Sequence, residues 1–113
     1  MQIKKLENYM TDFTTYTIES APQAAKPLLE AAGKAYGFVP NLLGTMAESP
    51  ALLEGYMTLA GIFDKGTLSE TERQIILMTN NRLNGCRYCM AAHTSISQMG
   101  GVSADVIEAL RND

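Results

Sequence analysis

The chain has 113 residues, a hydrophobic fraction of 46% and a formal net charge of -3, which is enough material for one domain with a modest core. Its nine Lys and Arg residues are scattered, so no basic stripe points to nucleic acid or an anionic membrane as a partner. The first residues lack the apolar core of a signal peptide and no apolar run approaches the roughly 20 residues that span a bilayer, so we expect a cytoplasmic protein with no membrane partner.

Segments of helical length follow one another through the first half of the chain. Residues 1–18 are ambiguous, and we treat them as a candidate arm of a single domain over residues 1–113. The next segment predicts a helix with Ser20 as its N-cap and Gly37 as its end, and Pro27 is expected to delay the regular start. A short helix is predicted after Pro40.

The clearest helix, "SPALLEGYMTLAGIFDKG", has Ser49 as its N-cap and ends at Gly66. A chain of this length has little material to cover the apolar face of that helix, which carries Leu52, Tyr56, Leu59 and Phe63. We therefore expect a homo-oligomer whose subunit contacts complete the core, and the alternative is a plain monomeric helical bundle.

The second half of the chain predicts three more helices. Ser69 and Glu72 form a capping-box pattern at the start of the first, which ends at residues 84–85. The second covers roughly residues 86–99, and the third begins at Ser103. Because no segment alternates like a strand, the chain is predicted to be all-α.

The stretch "NGCRYCMAAHT", residues 84–94, contains both cysteines and the single histidine of the chain. Cys86 and Cys89 are three positions apart and His93 follows Cys89 by four, so the three side chains share one face of a helix. A closed zinc site needs a fourth ligand, which leaves metal binding as an alternative that another group would have to complete. Haem attachment would need the histidine directly after the second cysteine, where the chain has Met90, so this possibility is excluded. A thioredoxin fold would need a preceding strand, but the segment before the cysteines is predicted to be helical.

The same arrangement suits thiol chemistry. A thiol in the first turn of a helix ionises more easily because it lies at the positive end of the helix dipole, and His93 can accept its proton. Two thiols one turn apart can close to a disulfide after one of them is oxidised to a sulfenic acid. The structural alternative is that both cysteines are small buried residues and His93 is a polar residue of the core.

The stretches "GFVPNLLGTMAESPALLEGYMTLAGIF" and "LSETERQIILMTNNRLNGCRYCMAAHTSISQMGGVS" resemble the alkylhydroperoxidase D-like, or carboxymuconolactone decarboxylase, superfamily and in particular its peroxidase-related branch. The resemblance implies an all-helical bundle completed by assembly into dimers, trimers or hexamers. It implies a thiol-dependent peroxidase with a role in antioxidant defence, acting on a hydroperoxide. The implied reductant is a dithiol, either a lipoylated or a thioredoxin-like protein, and we expect no cofactor.

The resemblance also implies a role for each matching residue. The second cysteine of the family motif, here Cys89, attacks the peroxide, and the first, here Cys86, then closes the disulfide. His93 matches the histidine that relays the proton. The helix dipole alone would favour Cys86 as the more acidic thiol, but we follow the histidine, which lies one turn from Cys89.

One position departs from the family motif. Twelve residues before Cys86, where the motif has a glutamate, the chain has Gln74, whose amide cannot take up a proton at neutral pH. Glu70 lies one turn earlier on the same helical face and is a candidate substitute base, whereas Glu72 is turned away from that face. Gln74 therefore predicts weakened peroxidase turnover.

Other functions are compatible with these residues. The decarboxylase branch generally lacks the cysteine pair, so Cys86 and Cys89 argue against a lactone decarboxylase. Peroxidase-related relatives often continue with further helices, whereas this sequence stops at Asp113. The short chain and Gln74 keep two alternatives open. One is a non-catalytic redox-sensing or interaction subunit, and the other is a general dithiol–disulfide oxidoreductase with weak peroxidase activity.

Overall fold

A computed structural model of the protein describes residues 12–112, and all regular structure within them is helical. A short 3-10 helix, Gln23–Ala25, is followed by six α-helices: α1 (Lys26–Tyr36), α2 (Asn41–Met46), α3 (Pro50–Asp64), α4 (Glu70–Leu83), α5 (Arg87–Met99) and α6 (Ala104–Asn112). The predicted all-α class is confirmed for this part of the chain. Within the same residues, the helices are too short or too polar to span a bilayer.

The chain divides into two compact units, Met1–Ala60 and Gly61–Asp113. In the first unit, side chains from α1, α2 and the start of α3 form a small apolar core with Leu29, Leu43 and Leu53 at its centre. A single domain over residues 1–113 stays a prediction, and the first eleven residues of the candidate arm lie outside the described residues.

The start of α1 differs from the prediction. Ser20 does not cap a helix, because its Oγ accepts a hydrogen bond from the backbone N–H of Thr17 at 3.0 Å. The chain then forms the 3-10 turn, and α1 begins at Lys26 without a side-chain cap. Pro27 causes this late start, since proline is tolerated in the first turn of an α-helix but not further inside one. The predicted end at Gly37 is confirmed, with a φ of 81° in the left-handed region.

The other predicted helix ends agree with the structure. Ser49 Oγ accepts from the N–H of Leu52 at 3.3 Å at the start of α3, which ends two residues before Gly66. The capping box of α4 is complete, with Ser69 and Glu72 each accepting the backbone N–H of the other at 3.2 and 2.7 Å.

In the second unit, α4 packs along α5, and α6 contacts both helices. Met78 of α4 and Ser97 of α5 are fully buried where the two helices meet, and the Ser97 hydroxyl donates to Met78 Sδ at 3.6 Å. Val102 and Ile107 are buried on the side of α6. This packing turns one face of α5 toward α4, and the candidate site is built between those two helices.

Among residues 12–112, the apolar side chains on one face of α3 are largely exposed. Leu52 is 56% exposed and Leu59 is 68% exposed, and Ile62 also lies at the surface. Phe63, which was expected on this face, is half-buried. The expected cover by another subunit stays a prediction.

Substitution by alanine is expected to have opposite effects on stability at Gly44, which is closely packed, and at Gly33, which is not. A Cβ on Gly44 would lie 2.6 Å from the backbone oxygen of Tyr16, whose N–H donates to the Gly44 oxygen at 3.0 Å. Gly44→Ala is therefore expected to lower the free energy of unfolding by about 1–3 kcal/mol in urea denaturation.

Gly33→Ala in α1 is the matched control, because the nearest atom to its new Cβ, Val39 Cγ2, would be 3.8 Å away. The higher helix propensity of alanine should stabilise this variant by up to about 1 kcal/mol. If Gly44→Ala were as stable as Gly33→Ala, the close approach of Tyr16 to α2 would be wrong.

Candidate functional site

The two cysteines form the entry to α5. Gly85, with a φ of 65°, turns the chain at the end of α4, and the N–H of Cys86 donates to the backbone oxygen of Asn81 at 2.9 Å. Cys86 is the N-cap of α5, and its Sγ accepts the backbone N–H of Cys89 at 3.2 Å. The two residues are joined by a disulfide across a Cα–Cα distance of 5.3 Å. Both sulfurs thus lie at the N-terminal end of α5, where the helix dipole favours negative charge.

His93 lies one turn after Cys89 on α5 and is half-buried against α4. Its Nδ1 is 2.9 Å from Oε1 of Gln74, which is 4% exposed. The amide Nε2 of Gln74 in turn donates to Oε1 of Glu70 at 3.0 Å. Three side chains from two helices therefore form one continuous line of hydrogen bonds.

The chemistry of the three groups fixes the direction of these hydrogen bonds. An ionised carboxylate only accepts, so Gln74 must turn its N–H toward Glu70 and its carbonyl oxygen toward His93. The carbonyl oxygen also only accepts, so Nδ1 of His93 must carry a proton. In the neutral imidazole, Nε2 is then unprotonated and can act as a base.

Glu70 is held in place by two residues that the sequence analysis did not single out. The guanidinium of Arg73 donates to Oε2 of Glu70 and to the backbone oxygen of Leu68, and pairs with Asp64 at 3.6 Å. A Cβ on Gly100 would lie 2.9 Å from Cγ and Oε1 of Glu70, so the Glu70 side chain would have to shift if position 100 were not glycine. Arg73 could have been found from its i, i+3 spacing to Glu70, whereas Gly100 carried no signal beyond that of a helix end.

Burial of the imidazole lowers the pKa of His93 below its ordinary value, because the charged form loses solvation, while the negative charge of Glu70 acts in the opposite direction. His93 is therefore neutral at neutral pH. The folded protein therefore binds a proton at His93 less well than the unfolded chain does. The stability that neutral His93 contributes is fully present above its unfolded pKa of about 6.5, and it is lost as the pH falls through the lower folded pKa.

The residues predicted for the site occupy two adjacent groups. Glu70, Gln74 and His93 are joined by hydrogen bonds, and Cys86 and Cys89 form the disulfide at the start of the helix that carries His93. Glu72 takes part in the helix cap instead. Among residues 12–112, no group of three or more His, Cys, Asp and Glu side chains is arranged to hold a metal ion.

A family model matches more than half of the chain and shows the family to which it belongs. The family model described as the carboxymuconolactone decarboxylase family matches residues 50–113, which is more than half of the chain. The chain belongs to this family. The resemblance found in the sequence is thereby confirmed, since this family covers the alkylhydroperoxidase D-like proteins. A comparison with curated proteins found no match.

In this family member, the electrostatic link between Glu70 and His93 can be tested without measuring activity. Glu70→Gln removes the charge that raises the pKa of His93, while its amide oxygen can still accept from Gln74. We expect the pKa of His93, measured by NMR titration of the imidazole, to fall further below its ordinary value.

Glu72→Gln is the matched control, because it removes the same charge from the same helical turn at a side chain that points to the Ser69 cap. Glutamine also preserves the capping box. An equal change in the His93 pKa in both variants, or none in either, would contradict the described link.

Proposed function

We propose that this protein is a thiol-dependent peroxidase that cycles between a Cys86/Cys89 dithiol and the corresponding disulfide. The observation that carries the proposal is the placement of the cysteine pair in the first turn of α5, one turn from a neutral histidine with a defined tautomer. The substrates are a hydroperoxide and a dithiol reductant. Membership of a family that contains alkylhydroperoxidase-like enzymes adds support.

The first half of the proposed cycle oxidises Cys89. Nε2 of His93 accepts the thiol proton, and the thiolate attacks one oxygen of the peroxide, which breaks the O–O bond. Cys89 becomes a sulfenic acid, and the other oxygen takes the proton from Nε2 of His93 and leaves as an alcohol or water, which returns His93 to its neutral form. The thiol of Cys86 then condenses with the sulfenic acid, which forms the disulfide and releases water.

Gln74 has a defined part in this cycle although it cannot accept a proton. Its carbonyl oxygen holds Nδ1–H of His93, so that Nε2 stays available as the base. Its N–H group joins His93 to Glu70, whose negative charge favours the imidazolium that forms when the proton is transferred. The proton stays on His93 until it passes to the leaving oxygen, and the carboxylate stabilises the imidazolium through the amide.

Two further features belong to the proposal. The exposed apolar residues of α3, such as Leu52 and Leu59, support a homo-oligomer, since association would remove them from water. The cycle needs a continuous supply of thiols, which supports a reducing compartment such as the cytoplasm. The cysteine pair argues against the decarboxylase reaction for which the family is named.

Sustained peroxide consumption with dihydrolipoamide as the reductant tests the proposal. The wild-type protein should turn over many times while it alternates between two free thiols and none per chain. Cys86→Ser and Cys89→Ser should each stop multiple turnover, because neither variant can form the disulfide. Undiminished turnover in both variants would contradict the mechanism, and consumption of a single equivalent by the wild type would instead favour a redox-sensing subunit.

The positioning role of Gln74 predicts the effect of Gln74→Met, which has a similar volume but no amide. Nδ1 of His93 then loses its acceptor, and turnover should fall by about tenfold or more, which is part of the roughly 10²–10⁴-fold that general acid–base catalysis contributes. The pH profile should change with it, because His93 no longer has a fixed tautomer or a link to Glu70. A lower rate with an unchanged pH profile would contradict this role and indicate a purely structural defect.

A further inference from the structure

A cavity of about 520 Å³ lies beside the cysteine pair within the second unit. Its lining includes Cys86, Met90, Thr94 and three arginines, Arg82, Arg87 and Arg111. The volume is in the range of pockets that bind small molecules. Cys86 is the member of the disulfide that borders this cavity, and Cys89 is not among the described residues that line it.

The three arginines come from three helices: Arg82 lies in the last turn of α4, Arg87 begins α5, and Arg111 lies near the end of α6. All three are exposed, and within residues 12–112 no carboxylate oxygen lies within 4.0 Å of their guanidinium nitrogens. The lining contains no acidic residue. The cavity is therefore positively charged, and guanidinium groups are suited to paired hydrogen bonds with carboxylate or phosphate.

We propose that this cavity binds the anionic group of a small dithiol that reopens the disulfide by attack on Cys86. The inference rests on the proposed dithiol–disulfide cycle and names the chemical class of its reductant, a dithiol that carries a carboxylate or a phosphate. The anionic group belongs to the reductant rather than to the peroxide, because the proposed cycle places peroxide attack at Cys89, whereas the cavity is bordered by Cys86.

The reaction balances as two thiol–disulfide exchanges. A thiolate of the bound reductant attacks Sγ of Cys86, which forms a mixed disulfide and releases Cys89 as a thiolate. The second thiol of the reductant then attacks its own sulfur in the mixed disulfide, which closes a disulfide within the reductant and releases Cys86. The reductant loses two electrons and two protons, and the two cysteines gain them.

Dihydrolipoate and dihydrolipoamide provide a direct test, because they carry the same dithiol and differ only in whether the chain ends in a carboxylate or a neutral amide. The rate of reduction of the oxidised protein is measured with each compound, without peroxide. We expect dihydrolipoate to react about tenfold faster at low salt, as electrostatic attraction at a charged cleft allows. The ratio of the two rates should decrease as salt screens the arginines.

Arg87→Gln and Arg111→Gln, singly and together, should lower this ratio toward unity. Lys65→Gln is the matched control, because it removes one positive charge at an exposed residue that does not line the cavity, and it should keep the wild-type ratio. Acetate and inorganic phosphate, added at constant ionic strength, distinguish the two anions. The preferred one should slow reduction by dihydrolipoate at the lower concentration.

Equal rates with both dithiols, or a preference that Arg87→Gln and Arg111→Gln leave unchanged, would overturn the cavity proposal and leave the peroxidase proposal standing. Failure of both dithiols to open the disulfide would also overturn it. A clear preference for dihydrolipoate in a protein that consumes no peroxide would keep the cavity proposal and refute the peroxidase.

Discussion

The hydrogen bond between Gln74 and His93 is the interaction on which the candidate site depends, because it joins α4 to α5 at a buried point between them. It fixes the tautomer of the imidazole and, through the second amide hydrogen bond, connects the imidazole to the carboxylate of Glu70. The packing of Met78 against Ser97 further along the same two helices holds them at the required separation. Without this contact, His93 would be an ordinary half-buried histidine near two cysteines.

With glutamine at position 74, the site departs from the family motif and still keeps a negative charge linked to the imidazole. A glutamate at position 74 would face His93 directly, but it would also stand beside Glu70, where two adjacent carboxylates disfavour a second negative charge. In this chain the amide lies next to His93 and the carboxylate lies one turn further away, held by Arg73 and fitted against Gly100. The negative charge therefore acts on the imidazole through the amide rather than by direct contact.

Local features of the fold were predictable from the sequence, and contacts between helices were less so. The capping box at Ser69 and the glycine at position 37 depend on neighbouring residues, so their patterns predicted helix ends that the structure confirms. Glu70 and Gln74 could be assigned to one face by helical periodicity. The close approach of Gly100 to Glu70, and the convergence of arginines from three helices on one cavity, depend on how distant segments pack, which spacing along the chain does not encode.

The most direct test of the account is to trap the sulfenic acid that peroxide attack must form. Cys86→Ser, which cannot close the disulfide, is treated with peroxide in the presence of dimedone, and the modified residue is identified by mass spectrometry. We expect Cys89 to be labelled in this variant, and Cys86 in the Cys89→Ser variant to be labelled much more slowly. Failure of Cys89 to react, or equal labelling of both cysteines, would contradict a cycle in which His93 activates Cys89.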